Sequence, residues 1–256
     1  MGFYENFEME VVNPDNFYPW PSSRDLDWAE IVSRHVILTS FQLQKLGCSQ
    51  KVIGRLVKKG VLHRYKVTTP EGSLPSLFTV GKTAGIIAKL PRVRFPNQKV
   101  VRSLLLANQI IVSILSQTKA LVDVNPRRPV QIVVVNNPVG IIVADSLNYP
   151  KLPLKYGLQQ AIVICRKDLT VPDLPFRYVL EDKVTHDSFD IQYYARNKHA
   201  LIPVTINFAR NHDEDAKHKT KGGEKGEFFP ANSGGIKGKT AQDTEDYLPA
   251  HNTPPE

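Results

Sequence analysis

From Thr39 the chain reads TSFQLQKLGCSQKVIGRLVKKGVLHRYKV, and its apolar positions predict two short helices and a strand. Thr39 stands before a helical stretch with Gln42 three residues on, the spacing of a capping box. Phe41, Leu43 and Leu46 make a short apolar stripe, and Gly47 can take the positive φ that ends a helix. Ser49 caps a second helix only two residues later, so the two helices must turn sharply. In that helix Val52, Ile53, Leu56 and Val57 share one face, while Gln50, Lys51, Gly54, Arg55 and Lys58 share the other. Gly60 stops it. VLHRYKV then alternates as a strand, TTPEGSLPS is a turn-rich tip and SLFTV is a returning strand. Helix, helix and hairpin in this order predict a winged helix-turn-helix over residues 26–90.

KTAGIIAKLPRVRFPN holds a short helix and then a proline-bounded linker. QKVVRSLLLANQIIVSILSQTKAL is the longest helical stretch, and Leu104, Leu105, Ile111, Val112 and Leu115 make it apolar over most of its circumference. Such a helix is buried between layers or against a partner helix, so dimerisation through it is one expectation. PVQIVVV, GIIVAD, AIVICRK, FRYVLEDK and ALIPVTINF follow as five strands, with NNPVG as a hairpin turn. Residues 98–208 are therefore read as a mixed α/β domain, and the fold class as α+β. Residues 210–256 lose the apolar periodicity and are polar, Gly-rich and mixed in charge, which predicts a disordered tail.

At 256 residues, with 41% hydrophobic positions, the chain can bury one large or two small cores. Charge divides it unevenly. Between Ile31 and Val122 fifteen Lys and Arg meet a single acid, Glu71, whereas residues 1–25 begin an acidic arm. Seven acids face Arg24 alone in the first thirty residues, and from Asp123 onward seventeen cations balance seventeen acids. The middle block thus carries +14, and the −6 of the first thirty residues reduces the whole chain to +8. A one-sided basic block suits a polyanion, because each phosphate it neutralises releases condensed counterions. The acidic arm would either cover that block or pack on the second domain.

The helix face that mixes Lys and Arg with an amide has the chemistry for phosphates, guanine and adenine. The expected contact set with double-stranded DNA is Ser49, Gln50, Lys51, Gly54, Arg55, Lys58 and Lys59, with Arg64 and Lys66 at the base of the wing. Gly54 weakens the helix by up to ~1 kcal/mol relative to Ala but allows close approach. The run ILTSFQLQKLGCSQKVIGRLVKKGVLHRY, followed by SLFTVGKTAG, resembles the N-terminal winged helix of the replication-relaxation family of mobile-element proteins. It is also similar to the N-terminal module of AbiEi-type antitoxins. The resemblance covers about residues 26–90 and implies a plasmid, phage or conjugative-element setting, with a role in replication, transfer or transcription regulation. It further implies that the second domain keeps a vestigial restriction-endonuclease-like fold. A homodimer on paired half-sites, or a replication or transfer protein, would be the protein partner.

Cys48 and Cys165 lie far apart, without metal-ligand spacing, so free buried thiols and a reducing cytoplasm are expected. The acidic, aromatic N-terminus lacks the basic-then-apolar order of a signal peptide. No stretch reaches eighteen apolar residues free of charge or amide, so no membrane span is expected. One constellation raises catalysis. Asp145 ends an apolar strand, and Glu181 and Lys183 would project to one face at the end of another. An acid on one strand beside Glu-x-Lys on its neighbour can hold Mg²⁺ and orient a water, and Asp173 is a second candidate acid. Against it, the preceding long helix carries no acid, and charged residues commonly end strands at the solvent. Ser146 and His186 lack a nucleophile-elbow sequence, no GxxxxGK[ST] loop exists, and Tyr193 and Tyr194 have only His186 and His199 for a relaxase-like metal site. The tail's His212, His218 and His251 are not spaced as ligands. No metal site and no cofactor is expected, and the protein is read as a DNA binder, with a Mg²⁺-dependent nuclease in the second domain and a winged-helix protein-interaction module as the alternatives.

Overall fold

The computed structural model describes residues 4, 6–12, 20–91, 98–125, 128–135, 137–144, 152–166, 174–197, 200–206 and 208. Strand β1 (Glu8–Val12) is followed by α1 (Ser23–His35), β2 (Leu38–Thr39), α2 (Ser40–Lys45) and α3 (Gln50–Lys58). The hairpin β3 (Leu62–Thr69) and β4 (Gly72–Val80) and the short α4 (Lys82–Ile87) complete this part. The four strands form one antiparallel sheet in the order β1-β3-β4-β2. The helix signals work as expected: the Thr39 side chain takes the Gln42 N–H at 3.0 Å while the Thr39 N–H donates to Gln42 Oε1 at 2.9 Å. Ser49 accepts the Val52 N–H, and Gly47 and Gly60 take φ of 99° and 64°. Leu43, Cys48, Ile53, Leu56, Val61, Leu62 and Phe78 close a core against Ala29 and Val32 of α1.

The hairpin is longer than its sequence suggests. Thr68, Thr69 and Gly72–Pro75 lie in its strands, so the turn is reduced to Pro70 and Glu71. Pro75 is tolerated because the β3–β4 register shifts there, and a bulge asks for no ladder N–H.

The second part opens with α5 (Gln98–Leu115), followed by β5 (Leu121–Asp123), β6 (Val130–Val134), β7 (Pro138–Ala144) and α6 (Leu152–Lys155). Then come β8 (Gln160–Cys165), β9 (Arg177–Leu180), a single 3-10 turn at Glu181–Lys183, β10 (Tyr193–Asn197) and β11 (Ala200–Val204). Seven strands, two more than expected, form a sheet whose spatial order follows the chain from β5 to β11. β7, β8 and β9 run parallel and the outer pairs antiparallel. The additional strands are β5 and β10. Short, mixed-polarity segments such as LVD and YYARN gain strand geometry from their neighbours rather than from their own pattern.

Helix α5 lies between the two sheets. Leu105, Ile110, Ile111 and Ile114 share one continuous apolar cluster with Ile37, Tyr65 and Leu77 on one side and Ile141, Ile162 and Val179 on the other. It is the one helix among the described residues long and apolar enough to cross a membrane, and 67% of that stretch is buried within the protein. From Leu104 to Ile114 every residue of α5 is buried within its own chain, as for a core helix that covers a sheet. The acidic arm also has a definite place. β1 pairs with β3 along its whole length, while Tyr4 and Phe7 are buried in the same cluster as α5. The arm therefore does both things open to it, flanking the basic hairpin and packing on the second part. Residues 210–256 lie outside the described residues.

Candidate nucleic-acid interface

Helix α3 buries Ile53 and Leu56 and turns Gln50, Lys51, Gly54, Arg55 and Lys58 outward, all five exposed. Lys51, Gly54, Arg55 and Lys58 follow i, i+3, i+4, i+7 and so form one stripe. Lys51 and Lys58 make no hydrogen bond or ion pair with the described residues. A Cβ built on Gly54 would meet nothing within 4 Å, so the stripe is open at its centre. Gln50 is engaged by Gln44, whose Nε2 donates to its Oε1 at 3.1 Å.

Two of the expected contacts are already partnered. Arg55 Nη2 donates to Asp25 Oδ1 and Lys59 Nζ to Asp25 Oδ2, each at 2.9 Å. Asp25 belongs to a capping box at the start of α1, where its carboxylate also takes the Ser22 N–H at 3.0 Å. Burial opposes its ionisation, but the Lys59 ammonium, the Ser22 N–H and hydroxyl and the Arg55 guanidinium outweigh that and hold it well below the usual carboxylate range. Lys59 is largely enclosed by this contact, its side chain 18% exposed, while that of Arg55 stays 50% exposed. Lys59 is thus a support of the helix pair rather than a free surface cation. The Ser22-x-x-Asp25 spacing was the one sequence signal that could have found this group.

On the hairpin, Arg64 and Lys66 both point outward. Arg64 Nε donates to Ser76 Oγ at 3.1 Å, which turns it across β4. Lys66 stands directly opposite Glu10 in the β1–β3 ladder, and Val12 stands opposite Arg64. Between α3 and the hairpin lies a hollow of ≈ 400 Å³, with Ser40, Gln50, Gly54, Lys58, Arg64 and Ser76 on its rim and Ile53, Val57 and Phe78 beneath. The sequence reading did not include Ser40 and Ser76. Ser49 is exposed at the mouth of α3, with its hydroxyl used in capping.

The candidate nuclease geometry is not formed by the described residues. Glu181 and Lys183 lie in the 3-10 turn after β9, so they do not project from one strand face. Glu181 is buried and ion-paired with Arg102 of α5, while Lys183 is exposed. β6, β7, β8 and β9 carry no Asp or Glu, and Asp145 and Asp173 lie outside the described residues. No cluster of three or more His, Cys, Asp and Glu side chains suited to a metal occurs among the described residues. Cys48 and Cys165 are both buried free thiols, and burial pushes each up to about 11. The arrangement can therefore offer cationic and amide hydrogen bonds on a rigid helix, beside a cationic hairpin.

No protein-family profile, curated protein or solved structure matches this chain.

Proposed function

We propose that α1 to β4 form a winged helix-turn-helix and that the protein is a sequence-specific binder of duplex DNA in the cytoplasm. The observation that carries this reading is the open stripe Lys51, Gly54, Arg55 and Lys58 on a helix whose other face is locked into the core. An α-helix of this width fits the major groove, and the adjacent hairpin brings Arg64 and Lys66 toward the phosphates. A role in replication, transfer or transcription of a mobile element rests on the resemblance of residues 26–90 alone. The second sheet then serves assembly or partner recognition on the bound site.

The test replaces the two lysines that have no partner among the described residues. Lys51→Ala with Lys58→Ala should weaken duplex binding and reduce the salt slope by about two, one per phosphate contact. Binding that is absent in the parent, or unchanged in the double variant, overturns the proposal. Glu10 beside Lys66 favours a second reading, a winged helix that contacts protein, because an acid on the strand flanking the hairpin opposes approach of phosphates. An intact fold without duplex affinity would select it.

A further inference from the structure

Resting on the DNA-binding reading, we infer that Asp25 is a positioning residue for base recognition, holding Arg55 so that its guanidinium reads a guanine. The two kinds of cation on the stripe differ. Lys51 and Lys58 are exposed point charges on flexible stems, which suit phosphate oxygens. Arg55 is tethered: one nitrogen is bound at 2.9 Å to a carboxylate that is itself buried and capping a helix.

This tether has three consequences. The side chain surrenders much of its rotamer freedom before any ligand arrives, so a second contact costs less entropy. Its direction is fixed relative to the helix axis, as recognition of one base edge requires. Its charge is partly balanced by Asp25, which reduces its value as a phosphate contact while leaving its hydrogen-bond fork intact. A guanidinium has five N–H donors, and Arg55 makes no other hydrogen bond to the described residues. Half of the side chain faces water beside Gly54, where no side chain keeps a base edge away. A planar fork of this kind matches the O6 and N7 acceptors of guanine. Lys59 holds the other carboxylate oxygen and completes the support from the buried side.

The experiment selects random duplexes at about 150 mM salt with full-length parent, Asp25→Asn and Arg55→Lys, where purely ionic contacts are screened. Ser22 remains the N-cap and an Asn at position 25 keeps an oxygen for the Ser22 N–H, so α1 should persist in Asp25→Asn. The parent should enrich a site with an essential guanine, and both variants should lose about tenfold or more of the preference for that base. Arg55→Lys should keep the parental salt slope and Asp25→Asn should not lower it, which separates base reading from phosphate binding. A base preference that survives in either Asp25→Asn or Arg55→Lys overturns the inference. So does a parent that binds duplex without enriching any motif, although the broader DNA reading would then stand. If the parent does not bind duplex at all, both fall. Should Asp25→Asn fail to fold, Arg55→Lys decides alone, since it keeps a cation for Asp25 and removes only the fork.

Discussion

Gln42 Nε2 donates to Gln109 Oε1 at 3.0 Å, so the residue that caps α2 also binds the helix beneath the second sheet. The same Gln42 nitrogen reaches the Leu105 carbonyl at 3.1 Å. Gln109 Nε2 continues to the carbonyls of Thr185 and Ser188 at 3.0 and 2.7 Å, and Ser113 Oγ to that of Phe189 at 2.7 Å. The Gln42, Gln109 and Ser113 side chains are buried, and their hydrogen bonds join the helix pair to the segment that leads into β10.

Gln42→Ala should therefore destabilise the whole protein by about 3 kcal/mol, since it leaves several buried groups without partners. Chemical denaturation followed by far-UV dichroism and by tryptophan fluorescence should give coincident transitions. A separate early transition would show that the helix pair unfolds independently of the second sheet.

His35 gives the protein an acid limit. Its ring is buried and bonds Asn108 at 3.1 Å, and burial pushes it down to about 4 from the ordinary 6.5, against the favourable Asn108 contact. The unfolded chain binds the proton first, so stability falls as pH drops from about 6.5 toward 4 and the native state resists above that window. The full loss is about 3 kcal/mol. Denaturation midpoints of the parent and His35→Gln should converge as pH falls from 7 to 4.5, and parallel curves would remove His35 as the cause.

Gly54 and Gly81 should respond in opposite ways to Ala. A Cβ at Gly81 would stand 2.2 Å from the Gly60 carbonyl oxygen, so Gly81→Ala must push apart the start of α4 and the end of α3. Gly54→Ala meets open space and should stabilise α3 by up to about 1 kcal/mol. The same methyl should weaken duplex binding, because it occupies the gap left for a base edge. Thermal melts and duplex titrations on both variants check the pair.

Glu181 is a buried carboxylate whose ion pair with Arg102, itself 20% exposed, offsets the cost of its burial. Glu181→Ala should cost about 1–3 kcal/mol of stability, the range for losing a buried hydrogen-bonded group, and Glu181→Gln should recover part of it. A variant that loses Mg²⁺-dependent DNA cleavage while keeping full stability would contradict this structural role.

Glu10 faces Lys66 across two strands, so Glu10→Gln should raise affinity for duplex DNA about threefold at low salt, with the gain fading as salt rises. Unchanged affinity would mean that this side of the hairpin stays clear of the phosphates.

What the sequence determined by itself is local. Thr39 with Gln42, Ser49 with Val52, and Gly47 and Gly60 act within one helical turn, so caps and breaks could be read from neighbouring letters. The runs of β6 to β9 announced themselves for the same reason, since each is a short, mainly apolar stretch. Only the tertiary structure decided the rest. It joined Asp25 to Arg55 across thirty residues and Glu181 to Arg102, paired β1 with β3, and sealed α5 between two sheets. Residue type and spacing do not encode which distant partner a charge or an apolar face will meet. That choice follows from chain-wide packing, where a buried carboxylate must find its cation and an apolar helix must be covered on every side.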